Sequence, residues 1–230
     1  MIPITQICCD VMHAGFWLDK VPDTAQLVII VLIVLAVGLA ALLLLRRWLL
    51  ERPTFSHLSV EKMLVFLDPK GNTARLTTRM TTRANHSGLS QMWFRNINAD
   101  GRIENILLDG IKPEIIRKKA GSLEIAKQFG HTLRRGEVFR TELSYDLHDS
   151  FPSKREGITH VTGLNTMTLV IRVRFHQDRS PEGFRAFVGY GSSKEQPLAM
   201  PSELDQKNHE VSLKIKRPQV GAYYTIEWDW

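Results

Sequence analysis

The chain has 230 residues, with 30 Lys and Arg against 24 Asp and Glu, a formal charge of +6. Its two cysteines, Cys8 and Cys9, are adjacent and near the N-terminus, which excludes an internal disulfide framework or a cysteine-based metal site in everything that follows them. The length leaves room for one core-bearing domain beside an anchor, and no fixed-period repeat or low-complexity tract is present.

Residues 1–26 read as a short extracytoplasmic tail, fairly apolar but interrupted by Pro3, Gln6, Asp10 and His13. Residues 27–45, LVIIVLIVLAVGLAALLLL, contain no charged or strongly polar side chain. As a helix they rise roughly 28 Å, close to the hydrocarbon thickness of a bilayer. They have no polar face to turn to water, and a helix satisfies every backbone donor and acceptor within lipid. The pattern predicts a single transmembrane helix. A cleaved signal peptide does not fit, because acidic residues precede the run and Arg46-Arg47-Trp48 follows it. Arg46, Arg47 and Arg52 outweigh Lys20, which places the C-terminal side in the cytoplasm and the N-terminus outside. Trp17, Arg46, Arg47 and Trp48 are the expected membrane-interface residues. Ala36 and Ala40 put small side chains on one helix face, the spacing of close helix packing, so a homo-oligomer through this helix is expected.

Residues 46–57 read as a juxtamembrane linker, since Pro53 drives Arg52 out of the helical basin. Residues 58–230 form the soluble domain. The four basic residues of 1–52 are balanced by four acidic ones, so the whole positive excess belongs to this domain. Here the hydrophobic period becomes two. From Thr73 to Ala84, even positions are small or apolar and odd positions are Thr or Arg. Phe139 to Leu147, Met167 to Phe175, Val211 to Ile215 and Tyr224 to Trp230 repeat the alternation, with Leu143, Leu169, Ile171 and Val173 among the inward residues. Turn signals such as Asp68-Pro69-Lys70-Gly71-Asn72 and Arg135-Gly136 separate the runs. The reading is eight to eleven strands, with Ile115 to Phe129 as a helical insertion and Pro201 to Asn208 as a helical turn or loop. The fold class is all-β: an antiparallel β-sandwich of immunoglobulin-like architecture, with a barrel as runner-up, preceded by the transmembrane α-helix.

Tests for chemistry are negative. The histidines are scattered, with no His-Glu-x-x-His. Tyr145-Asp146-Leu147-His148-Asp149-Ser150-Phe151 gathers a Ser, a His and two Asp, but neighbours on a strand point to opposite faces and no Gly-x-Ser-x-Gly elbow supports a hydrolase. Gly189 to Lys194 lacks the spacing of a phosphate loop. The basic clusters remain: Arg75, Arg79 and Arg83 on one strand face, and Lys118, Lys119, Arg134 and Arg135 in the net positive stretch from Lys112 to Arg140. Arg is suited to bidentate anion contact, so these seven are the candidate ligand- or anion-binding residues.

The sequence therefore predicts a membrane-anchored, non-enzymatic binding or assembly module that presents a basic β-sandwich domain at the cytoplasmic membrane face. It predicts no cofactor and no metal. Its expected partners are the lipid bilayer, further copies of the chain, and an acidic protein or a phosphate-bearing ligand. The alternative is an oligomeric membrane effector whose β domain senses a ligand such as a nucleotide and controls membrane disruption.

Overall fold

The computed structural model describes residues 23–50, 53–119, 121–191, 195–199, 205 and 209–230, with helix side chains described from 28 to 42. The chain divides into two units, Met1–Arg52 and Pro53–Trp230. In the first, helix α1 spans Asp23–Leu50. Every side chain described along it, from Val28 to Leu42, is exposed. Among the described residues no helix is long and apolar enough to cross a membrane. Residues 28–42 by themselves rise about 22 Å, against a hydrocarbon core of about 30 Å. The tail with Cys8, Cys9 and Trp17 lies outside the described residues, as do the side chains of Arg46, Arg47 and Trp48.

The second unit is all strand and loop among the described residues. In chain order the strands are β1 (Phe55–Phe66), β2 (Thr73–Ala84), β3 (Leu89–Ile97), β4 (Arg102–Leu108), β5 (Ile115–Lys119), β6 (Ser122–Leu133) and β7 (Val138–His148). They continue with β8 (Arg155–Val161), β9 (Thr168–Arg174), β10 (Gly183–Tyr190), β11 (Gln196–Leu198), β12 (Glu210–Lys216) and β13 (Ala222–Asp229). They form a six-stranded sheet in the order β12-β9-β1-β2-β7-β4, a four-stranded sheet β11-β10-β13-β8 and a three-stranded sheet β3-β6-β5. None of the three closes into a barrel. Helix α1 begins at Asp23 and runs on through residues 46–50, and β1 begins at Phe55, within the stretch read as linker.

Alternation places the core as expected. On β2 the even residues Ala74, Leu76, Met80, Thr82 and Ala84 are buried, while Arg75, Arg79 and Arg83 are exposed. Leu169, Ile171 and Val173 are wholly buried, and Leu143 is nearly so. All three sheets contribute to one apolar cluster. At one end of it Phe66 packs edge-on against Trp228 and Trp230, at centroid distances of 5.6 and 5.0 Å, and stacks on Phe175 at 5.9 Å. Such ring pairs add to the area they bury.

Four expectations are corrected. Ile115 to Phe129 is not helical: Ile115 pairs with Ala126 and Lys119 with Ser122 in an antiparallel hairpin. Gly121, at φ +74°, supplies the left-handed residue of its turn. The sheets are not purely antiparallel, because β1 and β9 pair in parallel; period-two alternation is the same for either direction. Met167, expected inward, is exposed because it precedes β9 rather than belonging to it. The strand total also exceeds the eleven expected, since the supposed helix yields two strands. Most of Pro201 to Asn208 lies outside the described residues.

Candidate functional site

Strand β2 lies between β1 and β7, so its outward arginines meet partners on both sides. Glu61, Arg79 and Glu142 stand directly across from one another, as do Arg75 and Asp146. Arg75 Nε donates to Asp146 Oδ1 at 2.7 Å and its Nη2 to Oδ2 at 3.2 Å, a bidentate fork. Asn105 donates to the same carboxylate at 2.8 Å. These donors, Arg75 foremost, hold the Asp146 carboxyl below the usual carboxylate range. Arg79 Nε donates to Glu142 at 2.6 Å. On the same sheet Arg172 pairs with Glu61 at 2.9 Å, and Glu210 receives both Arg172 and Arg174 at 3.1 Å. Arg83 makes no ion pair among the described residues. It sits near the end of the strand, opposite Ser56 and Val138.

A hollow of about 370 Å³ lies over Arg79. Its charged lining is Glu61, Asp109 and Glu142 against Arg79 and Arg140. Carboxylates outnumber guanidinium groups there, so an incoming anion would have to compete with groups already in place.

The other predicted residues belong to a different part of the unit. Lys118 and Lys119 lie on β5, and Lys119 Nζ is 2.8 Å from the buried Glu124. Beside them the Arg117 guanidinium covers the Trp93 ring at 4.3 Å, a cation–π contact. Arg134 and Arg135 form the turn between β6 and β7. The Arg134 backbone N–H donates to Glu137 and that of Arg135 to Ser87 Oγ, at 2.9 and 3.0 Å, leaving both side chains exposed. The seven predicted residues therefore do not assemble on one sheet: Arg75, Arg79 and Arg83 are on the six-stranded sheet, Lys118 and Lys119 on the three-stranded one.

The Ser, His and Asp of 145–151 form no relay. Asp146 is committed to Arg75, Ser150 Oγ donates to the His148 carbonyl at 3.3 Å, and His148 Nε2 is 3.6 Å from Glu104. Among the described residues no three His, Cys, Asp or Glu cluster as metal ligands would.

A feature that the sequence reading missed lies on the inward face of β1. There the row Val60, Lys62, Leu64, Phe66 carries a lysine between fully buried aliphatics. A lysine breaking an apolar alternating row is a signal the sequence contained. Lys62 borders a cavity of about 520 Å³ that β1, β2 and β7 share with β8 of the four-stranded sheet. Its ammonium donates to the Thr159 carbonyl at 2.6 Å and makes no ion pair among the described residues. Burial pulls the Lys62 amine down to about 8. Burial likewise brings His57, which shares a hydrogen bond of 2.9 Å with Thr82, down to about 4. His160 falls to about 4 by burial and by the charges of Lys62 and His57.

No protein-family profile matches the sequence. No curated protein matches it. Among solved structures, an M1 zinc metallopeptidase from Deinococcus radiodurans is similar at TM-score 0.42 and 13% identity, over 76% of this chain and 42% of that one. Yeast LTA4 hydrolase is similar at 0.44 and 9%, over 76% and 29%. A proposed nutrient-binding protein from Legionella pneumophila is similar at 0.46 and 8%, over 76% and 67%. The chain thus spans well under half the length of the peptidase structures it matches. Likenesses at this level carry nothing about chemistry.

Proposed function

We propose that this chain is a membrane-anchored, non-enzymatic binding module, with residues 27–45 as its transmembrane helix and the β unit on the cytoplasmic side. The observation that carries the anchor is the surface of α1. Val28, Ile30, Leu32, Val34, Leu35, Val37, Leu39 and Leu42 each leave more than half of their surface exposed. A continuous aliphatic surface of this kind is unstable in water and suited to lipid. Read in full from the sequence, the charge-free run is long enough for the bilayer, and Arg46, Arg47 and Arg52 orient it. In the β unit, the six- and four-stranded sheets are the layers of a sandwich, and binding rather than turnover accounts for its cavity.

The orientation is tested with two reporters fused after Trp230, one active only in the cytoplasm and one only outside it. The first gives signal and the second stays silent. The reverse pattern overturns the orientation.

A further inference from the structure

We propose that the cavity around Lys62 binds a small organic carboxylate, its acid group on the Lys62 ammonium and its apolar body on the aliphatic floor. Lys62 occupies a position that strand alternation reserves for the core, between Val60 and Leu64. Lys62 is half-buried there, and an ammonium drawn out of water is costly unless it is paired. Among the described residues its one hydrogen-bond partner is a neutral carbonyl, that of Thr159, on the opposing sheet. An anion from outside would complete the pairing that the fold leaves open.

The cavity is suited to more than an inorganic ion. At about 520 Å³ it falls in the range of small-molecule sites. Leu64, Leu76, Leu147 and Ile158, themselves almost fully buried, give it a small apolar floor, and the rest of its lining is mostly polar, Asn96 and Ser150 included. Such a mixture orients an amphipathic ligand.

Two carboxylates, Asp100 and Glu156, also line the cavity and repel an anion, so the acid group belongs at its Lys62 end. Asp100 is exposed and so partly screened by solvent, and Glu156 is occupied by the Ser153 backbone N–H. Either can receive an ammonium group if the ligand carries one. His57 on β1 and His160 on β8 are uncharged at neutral pH. Tyr145 on β7 is held protonated by burial. Lys62 is charged below about 8, so binding is strongest near neutrality and weakens above that value.

The proposal rests on the binding half of the functional reading and is independent of the anchor: release of the chain from membranes leaves it standing. The test uses the full chain in lipid nanodiscs. Lysines are acylated near neutral pH, and labelling at each is read by peptide mass spectrometry. Millimolar 3-phenylpropionate slows labelling of Lys62 several-fold and leaves the exposed Lys214 and Lys216 unchanged. Protection by phenethylamine alone, by inorganic phosphate alone, or by none of these overturns the proposal. As a second reading, 3-phenylpropionate raises the melting temperature of the native chain and not that of Lys62→Met, which keeps the apolar stem. An equal rise in both overturns it too.

Discussion

Asp146 and Arg79 are both ion-pair residues on one sheet face, and their worth differs with burial. The Asp146 side chain is 7% exposed and takes three donors from Arg75 and Asn105, whereas the Arg79–Glu142 pair is about half exposed on both sides. Hydrogen bonds to a charged group contribute about 1.5–3 kcal/mol, and an exposed pair about 0.2–1 kcal/mol. In urea unfolding, Asp146→Asn therefore lowers stability by roughly 2 kcal/mol. Arg79→Glu, which also brings a third carboxylate beside Glu61 and Glu142, lowers it by roughly 1 kcal/mol. Equal losses would mean that burial does not separate the two sites.

Histidine supplies the pH dependence at this scale. His57 and His160 ionise near 4 in the folded state against 6.5 unfolded. Between those values the unfolded chain binds more protons, so stability falls as pH drops from 6.5 towards 4. Asp146, held low in the fold, adds its own loss as pH falls through the ordinary carboxylate range and below it. Replacing His160 with Asn flattens the melting-temperature slope between 6.5 and 4. An unchanged slope would show that the imidazole is not buried uncharged.

At the scale of elements, the strands with strict alternation were legible and their pairing was not. Thr73 to Ala84 shows its two faces without any structure, because period two is a property of the single strand. The carboxylates that meet its arginines lie 63 and 71 residues away, and only the register reveals them. The β5–β6 hairpin was misread for a local reason. Ile116, Lys119, Leu123 and Ala126, at steps of three, four and three, imitate one face of a helix, while Gly121 marks the turn. Lys62 was overlooked because its strand shows no strict alternation: Met63 and Val65 are as apolar as Leu64 and Phe66.

Strand β9, next to the edge strand β12, offers the sharpest test of register. It is flanked by β1 and β12, and Ile171 is fully buried opposite Lys62 on one side and Leu213 on the other. Ile171→Asp places an unpaired carboxylate there at a cost of several kcal/mol, against a total stability of about 5–15 kcal/mol. The β unit then shows no cooperative melting. A native melting curve for that variant would show that the side chain faces water.

For the whole molecule, the sequence reads as an aliphatic helix and a strand-rich domain, and the structure falls into two units, Met1–Arg52 and Pro53–Trp230. What it could not supply was the cavity, which forms where β1, β2 and β7 meet β8, with Asn96 of β3, the loop after it and Gly121 also in its lining. The claim that ties the two units into one function is that the helix is an anchor. It is measured by washing membranes that carry the full chain with alkaline carbonate, which strips peripheral proteins. The full chain stays with the membrane pellet, and Leu32→Lys with Leu35→Lys, which puts two charges into the apolar run, shifts it to the supernatant. Release of the native chain by the same wash would contradict the account.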